Sequence, residues 1–121
     1  MWTYQQSTGK LTDVDGVLLA TGYSGFGEGK DNGAMQAIHD VGPIPQGIWS
    51  IGAPYTDPEK GPLVMALTPS ATTETFGRSA FLIHGDSIHN PGQASKGCVI
   101  LSHATRLAIS ESDDTILQVI P

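Results

Sequence analysis

Charge is scarce in this chain, and positive charge most of all. Only six of its 121 residues are Lys or Arg, against twelve Asp or Glu, which gives a formal net charge of −6 at pH 7. The six cations form no run and do not interleave with aromatics, which argues against nucleic acid or an anionic membrane surface as the main partner. Long apolar runs are missing as well, and no segment reaches the roughly 20 residues needed to cross a bilayer. The opening Met1-Trp2-Thr3-Tyr4-Gln5-Gln6 has neither the basic start nor the apolar core of a secretory signal. If the substrate lies outside the cytoplasm, another export route or lysis is therefore expected to deliver the protein. A single cysteine excludes an internal disulfide. There is no His-Glu-x-x-His pattern and no cysteine pair, so no metal or organic cofactor is expected. His84-x-Asp86-x-x-His89, with His39 and His103 elsewhere, does supply residue types that ligate zinc.

An apolar fraction of 39% with only 15% charged residues places the chain among folded globular proteins rather than charge-driven disordered ones. Its length suits one domain over residues 1–121 with one modest core. Fifteen glycines and eight prolines break it too often for long helices. Trp2–Gln6, Lys10–Val14 and Gly16–Gly22 read as three short strands joined by Gly-containing turns, a meander opening. Residues 23–33 read as a Gly-rich surface loop. It lacks the Gly-Lys-Ser/Thr ending of a phosphate loop. Ala34–His39 has room for about one helical turn before the rigid Gly42-Pro43-Ile44-Pro45-Gln46-Gly47. Ile48–Ile51, Leu63–Thr68, Phe81–His84, Val99–Leu101 and Ile116–Ile120 read as further strands, with Pro54–Pro62 as a loop. Ser102 is a good N-cap for a helix over His103–Ser110. The sum is a mainly β single domain with one or two short helices.

The chemistry centres on Cys98, fourteen positions after His84. A cysteine nucleophile acts as its thiolate and needs a base to form it. Cys98 stands at a polar-to-apolar boundary, Ser95-Lys96-Gly97 before it and Val99-Ile100-Leu101 after it, rather than inside an apolar run. Gly97 removes bulk where backbone amides must face a developing oxyanion. Lys96 offers positive charge that favours the thiolate. His84 ends an apolar strand and is followed by Gly85, a position from which a side chain projects into a cleft. A free cysteine is also commonly a small buried hydrophobe, and the residues alone leave that alternative open.

The segment Ile83-His84-Gly85 … Ser95-Lys96-Gly97-Cys98-Val99 resembles the signature of the L,D-transpeptidase (YkuD-type) catalytic domain. Gly42-Pro43-Ile44-Pro45-Gln46-Gly47-Ile48-Trp49 is similar to the strand entry of the same fold. With Gly22-Tyr23-Ser24-Gly25 and Gly85-Asp86 added, the ordered set most resembles a compact branch of type VI secretion effectors that attack peptidoglycan. Lys96 stands where the broader family has histidine, and Ile100 where it has Arg or Asn.

The resemblance implies a compact L,D-transpeptidase-like β-sandwich. It makes Cys98 the nucleophile, His84 the base, the Gly97 and Cys98 amides the oxyanion donors, and Ser95 a positioning residue. Tyr23 and Ser24 match the branch's substrate-facing motif, and Asp86 and Lys96 join them as candidates for substrate contact. Asp86 is either an imidazole-orienting carboxylate or a solvated turn residue. His89 is either a rival base or an exposed loop histidine. Arg78 is either a receptor for a substrate carboxylate or a surface ion-pair partner. The implied activity is L,D-carboxypeptidase/L,D-transpeptidase action on peptidoglycan tetrapeptide stems, with a cognate immunity protein and type VI secretion components as partners. Such a protein would be a monomer, held in the producer's cytoplasm before export and acting in the target-cell periplasm. A non-catalytic cell-wall binding module and a metal-dependent peptidoglycan amidase are the competing readings.

Overall fold

The computed structural model describes residues 1–121 as ten short strands and one α-helix. The strands are β1 (Trp2–Gln5), β2 (Lys10–Thr12), β3 (Leu18–Thr21), β4 (Tyr23–Ser24) and β5 (Gly47–Ile51). They continue with β6 (Tyr55–Asp57), β7 (Gly61–Pro69), β8 (Leu82–His84), β9 (Val99–Ile100) and β10 (Ile116–Ile120), while α1 is His103–Glu111. The fold is mainly β, and no helix is long and apolar enough to cross a membrane.

One nearly closed, barrel-like sheet runs in the order β3-β2-β1-β10-β5-β7-β8-β9-β4, with β6 pairing beside β7. Its two ends, β3 and β4, are consecutive in the chain and separated by Gly22 alone. The Gly22 amide donates to the Gly9 carbonyl at 2.8 Å. A side chain there would collide with the Ile100 carbonyl, so only glycine lets the chain pass from one end of the sheet to the other.

Alternation of side chains builds the core. In β1, Trp2 and Tyr4 point inward while Thr3 and Gln5 are half-buried, and in β10 Leu117 and Val119 do the same. The two strands pair in parallel with Trp2 opposite Leu117 and Tyr4 opposite Val119, so four buried side chains stack on one face. Trp49 from β5 is fully buried, meets the Phe81 ring edge-on at 5.0 Å, and donates its indole N–H to the Pro45 carbonyl at 3.1 Å. It thereby ties the Gly-Pro-Ile-Pro segment to the floor of the sheet. In α1, capped by the Ser102 hydroxyl, Thr105, Arg106 and Ile109 face inward.

Three expectations from sequence change. Pro54–Pro62 is not a plain loop, because Tyr55–Asp57 pairs with β7 as a hairpin arm. The Gly-rich segment 23–33 is not loop throughout, because Tyr23 and Ser24 pair with Ile100 and Val99 and a 3-10 turn follows at Gly27–Gly29. The helical turn expected over Ala34–His39 is a 3-10 turn at Gly33–Met35.

Trp49→Ala removes a fully buried aromatic and a hydrogen bond to the Pro45 carbonyl. It is expected to lower unfolding free energy by about 3–5 kcal/mol, read from the urea midpoint.

Candidate active site

The parallel pairing of β8 with β9 sets Ile83 opposite Val99 and His84 opposite Ile100. Successive side chains alternate, so Cys98, two residues before Ile100, projects on the same side of the sheet as His84. Both line one open cleft of about 1110 Å³.

His84 is 1% exposed. Its Nδ1 lies 2.8 Å from the Gly85 carbonyl, which can only accept, so Nδ1 carries the proton and Nε2 is left as a bare lone pair. That Nε2 is buried and has no hydrogen-bond partner in the chain. Burial chiefly, and the positive charges of Lys60 and Arg106, pull the imidazole pKa below its ordinary value despite the Gly85 bond and Asp57. The ring is thus a neutral base at neutral pH.

Cys98 is half-buried, and its Sγ lies 3.8 Å from the Ala80 carbonyl. Burial pushes its thiol pKa up, opposed by the Leu82 amide and by the charges of Lys60 and Arg78. Both directions favour a neutral thiol beside a neutral imidazole over a thiolate–imidazolium pair.

The turn that presents Cys98 is pinned from three sides. Ser95 Oγ donates to the Cys98 carbonyl at 2.6 Å and accepts from the amides of Gly97 at 3.1 Å and Gly25 at 2.9 Å. Ser24 Oγ donates to the Gly97 carbonyl and accepts from the Ile44 amide. Gly97 itself has φ +134°, and a Cβ there would sit 2.5 Å from Arg78 Nη2 and 3.0 Å from the Phe81 ring. Arg78 completes the clamp. It is 7% exposed, packs against the Phe81 ring at 5.1 Å, and donates to the carbonyls of Gln36, Gly42, Pro43 and Lys96.

Several sequence expectations shift accordingly. The Gly97 amide is spent on Ser95 Oγ, so it is not an oxyanion donor in this arrangement. The Cys98 amide, by contrast, donates to no atom of the chain. Ser24 is fully buried and holds scaffold rather than facing the cleft. Asp86 does not touch His84: it accepts from the Tyr23 hydroxyl at 2.6 Å and from the amides of Ser87 and Gly92, and the Gly85 carbonyl orients the imidazole instead. Tyr23 in turn accepts from the Ala94 amide, so the pair braces the loop between base and thiol and borders a smaller side cleft. Lys96 is exposed and lines the main cleft, but the cations acting on the thiol are Lys60 and Arg78. Arg78 is neither a surface ion-pair residue nor free for a ligand. His89 lines the cleft from an exposed loop position, and His39 bonds the Phe76 carbonyl. No three His, Cys, Asp or Glu side chains converge as a metal site. Sequence reasoning missed Lys60 and Arg106, although the spacing of Arg106 three residues before Ile109 places it on the buried face of α1.

Two outcomes follow. Arg78→Met strips donors from four carbonyls at once and is expected to cost about 3 kcal/mol or more, at roughly 1–3 for each buried acceptor left unpaired; an unchanged denaturation midpoint contradicts the clamp. Alkylation of Cys98 followed against pH is expected to rise only above the ordinary thiol range of about 8.5, because the neutral thiol is the favoured form. Full reactivity already at pH 6 indicates an ion pair instead.

The family model for the Tlde1 domain matches residues 19–118, from β3 into β10, and so covers every element that builds the cleft. Among curated proteins no sequence matches the chain. The family is one of effectors that target peptidoglycan, which brings with it export, a periplasmic site of action and an immunity partner. The chain belongs to the Tlde1 domain family, the type VI secretion L,D-transpeptidase effectors.

Proposed function

We propose that the protein is a cysteine L,D-carboxypeptidase/L,D-transpeptidase that removes or exchanges the terminal D-alanine of peptidoglycan tetrapeptide stems. The observation that carries this reading is the buried, unpartnered Nε2 of His84 in the same cleft as the only cysteine. A buried ring nitrogen without a partner costs stability in a resting protein, and a proton arriving from the thiol in the same cleft supplies what it lacks.

In the first step the Cys98 thiol gives its proton to His84 Nε2 while sulfur attacks the carbonyl carbon of the third-position diamino acid. The free Cys98 amide is the donor available to the tetrahedral oxyanion. Collapse of that intermediate breaks the peptide bond, and Nε2 returns the proton to the departing D-alanine amine. The thioester is then resolved by water, by a free D-amino acid or by the amine of another stem. The first trims the stem, the second exchanges its terminus and the third cross-links, all with one nucleophile and one base. Trimming and exchange both deplete stems usable as cross-linking donors, which fits an antibacterial toxin acting in a target-cell periplasm and a producer guarded by an immunity protein.

The test is incubation of the wild type, Cys98→Ala and His84→Gln with tetrapeptide muropeptides, with and without a chelator and free D-methionine, and products read by mass. Loss or replacement of the terminal residue is expected only where Cys98 is present. His84→Gln is expected to slow it about 10²–10⁴-fold. Turnover abolished by chelator supports a metal amidase instead, and retained binding without turnover supports a binding module.

A further inference from the structure

Positive charge in this acidic chain is not spread evenly. Lys60, Arg78, Lys96 and Arg106, four of the six Lys and Arg side chains, line the cleft that holds His84 and Cys98, against only three of the twelve acids, Asp40, Glu59 and Asp86. The remaining surface is correspondingly more negative. A cleft that concentrates the scarce charge selects anionic ligands.

The four cations are not equivalent. Arg78 has its guanidinium committed to backbone carbonyls. Lys96 stands on the turn that carries Cys98. Lys60 and Arg106 reach the cleft from other elements, and both have donors to spare. Lys60 sits at the tip of the β6–β7 hairpin, where the Asp57 carboxylate fixes the turn by accepting from the amides of Glu59 and Lys60, each at 2.9 Å. Its ammonium bonds to no atom of the chain. Arg106 is 7% exposed. Its Nε donates to the Leu101 carbonyl at 3.1 Å, and its Nη1 to those of Pro62 at 2.8 Å and Leu63 at 3.2 Å. Its Nη2 has no partner in the chain and lies 2.6 Å from where a Cβ on Gly85 would stand, so this nitrogen comes up beside the residue that follows His84. Pro62 and Leu63 are the residues just beyond the Lys60 turn, so Arg106 fixes the base of the hairpin whose tip bears Lys60. The positive charges of both act on the His84 ring.

This arrangement bears on substrate polarity if the reading above holds. The group that protonates the departing amine must lie on the leaving-group side of the scissile bond. In a tetrapeptide stem the leaving residue is the last, and it carries a free α-carboxylate. We propose that Lys60 and Arg106 form a carboxylate-binding subsite on the His84 side of the cleft that takes the terminal α-carboxylate of the stem, confining cleavage to the last peptide bond. Arg106 Nη2 supplies directional N–H donors and Lys60 a mobile point charge in the same cleft. Asp86 does not compete, since its carboxylate is held by Tyr23, Ser87 and Gly92.

The proposal rests on the function proposed above, and binding to an inert protein separates the two. With Cys98→Ala as the host, affinities are measured for a tetrapeptide stem and for the same stem with its terminal carboxyl as a carboxamide. The free acid is expected to bind about tenfold more tightly, the scale of one charge-assisted hydrogen bond. Adding Lys60→Gln, an exposed change that leaves the Arg106 clamp in place, is expected to reduce that preference to about twofold. Wild type is expected to trim the acid and spare the amide. Equal affinity for acid and amide, with the wild type still trimming, overturns the subsite and leaves the catalytic reading standing. An acid preference untouched by Lys60→Gln removes Lys60 from the subsite and overturns the pairing. Failure of the wild type to trim any stem, with neither stem bound, overturns both readings.

Discussion

A buried guanidinium with no carboxylate partner holds the centre of this protein together. Arg78 gathers carbonyls from Gln36, Gly42, Pro43 and Lys96, which belong to two segments far apart in sequence, and does so beneath the turn that presents Cys98. Desolvating an unpaired cation is costly, and several short bonds to carbonyls are the way the fold offsets it. The same charge acts on the Cys98 thiol, where with Lys60 and the Leu82 amide it partly opposes the effect of burial. Gly97 is required because Arg78 and Phe81 fill the space a side chain would occupy.

Around that clamp the two side chains proposed to exchange a proton both rest in their neutral forms. A thiol whose burial disfavours ionisation stands in one cleft with an imidazole whose burial disfavours protonation. Neither group then holds a charge in the resting state, and in the proposed mechanism charge appears only when substrate arrives and the proton moves. Binding a substrate that excludes water from the open cleft would strengthen every electrostatic contact that the new charges make.

The sequence pointed to the two residues proposed to do the chemistry better than to those that place them. Cys98 and His84 each stand beside a glycine at the edge of an apolar run, but it was the ordered set of motifs around them that singled them out. The strand Ile116–Ile120 was legible from its short run rich in Ile, Leu and Val after a polar Ser-Asp-Asp turn. Arg78 was not, because nothing in Thr-Phe-Gly-Arg-Ser distinguishes a cation that will be buried under a distant Gly-Pro loop from one left in water. The hairpin arm Tyr55–Asp57 was hidden by the prolines around it, and β4 by being only two residues long and stabilised by a partner 75 positions away. Ser24 and Ser95 matched motif positions, but only the fold shows their hydroxyls turned to backbone amides and carbonyls.

The pairing of β1 with β10 bears on the order in which the molecule is made. Trp2 lies opposite Leu117, and the neighbouring strands β2 and β3 join the rest of the sheet only through that contact and the Gly22 junction. Closing a loop of this length costs chain entropy before any of the stacked side chains can meet. Strands made first must therefore wait, unpaired on one side, until β10 leaves the ribosome. The strand β5 likewise lacks its β10 neighbour until then, so one flank of the sheet stays open until the last strand of the domain is made.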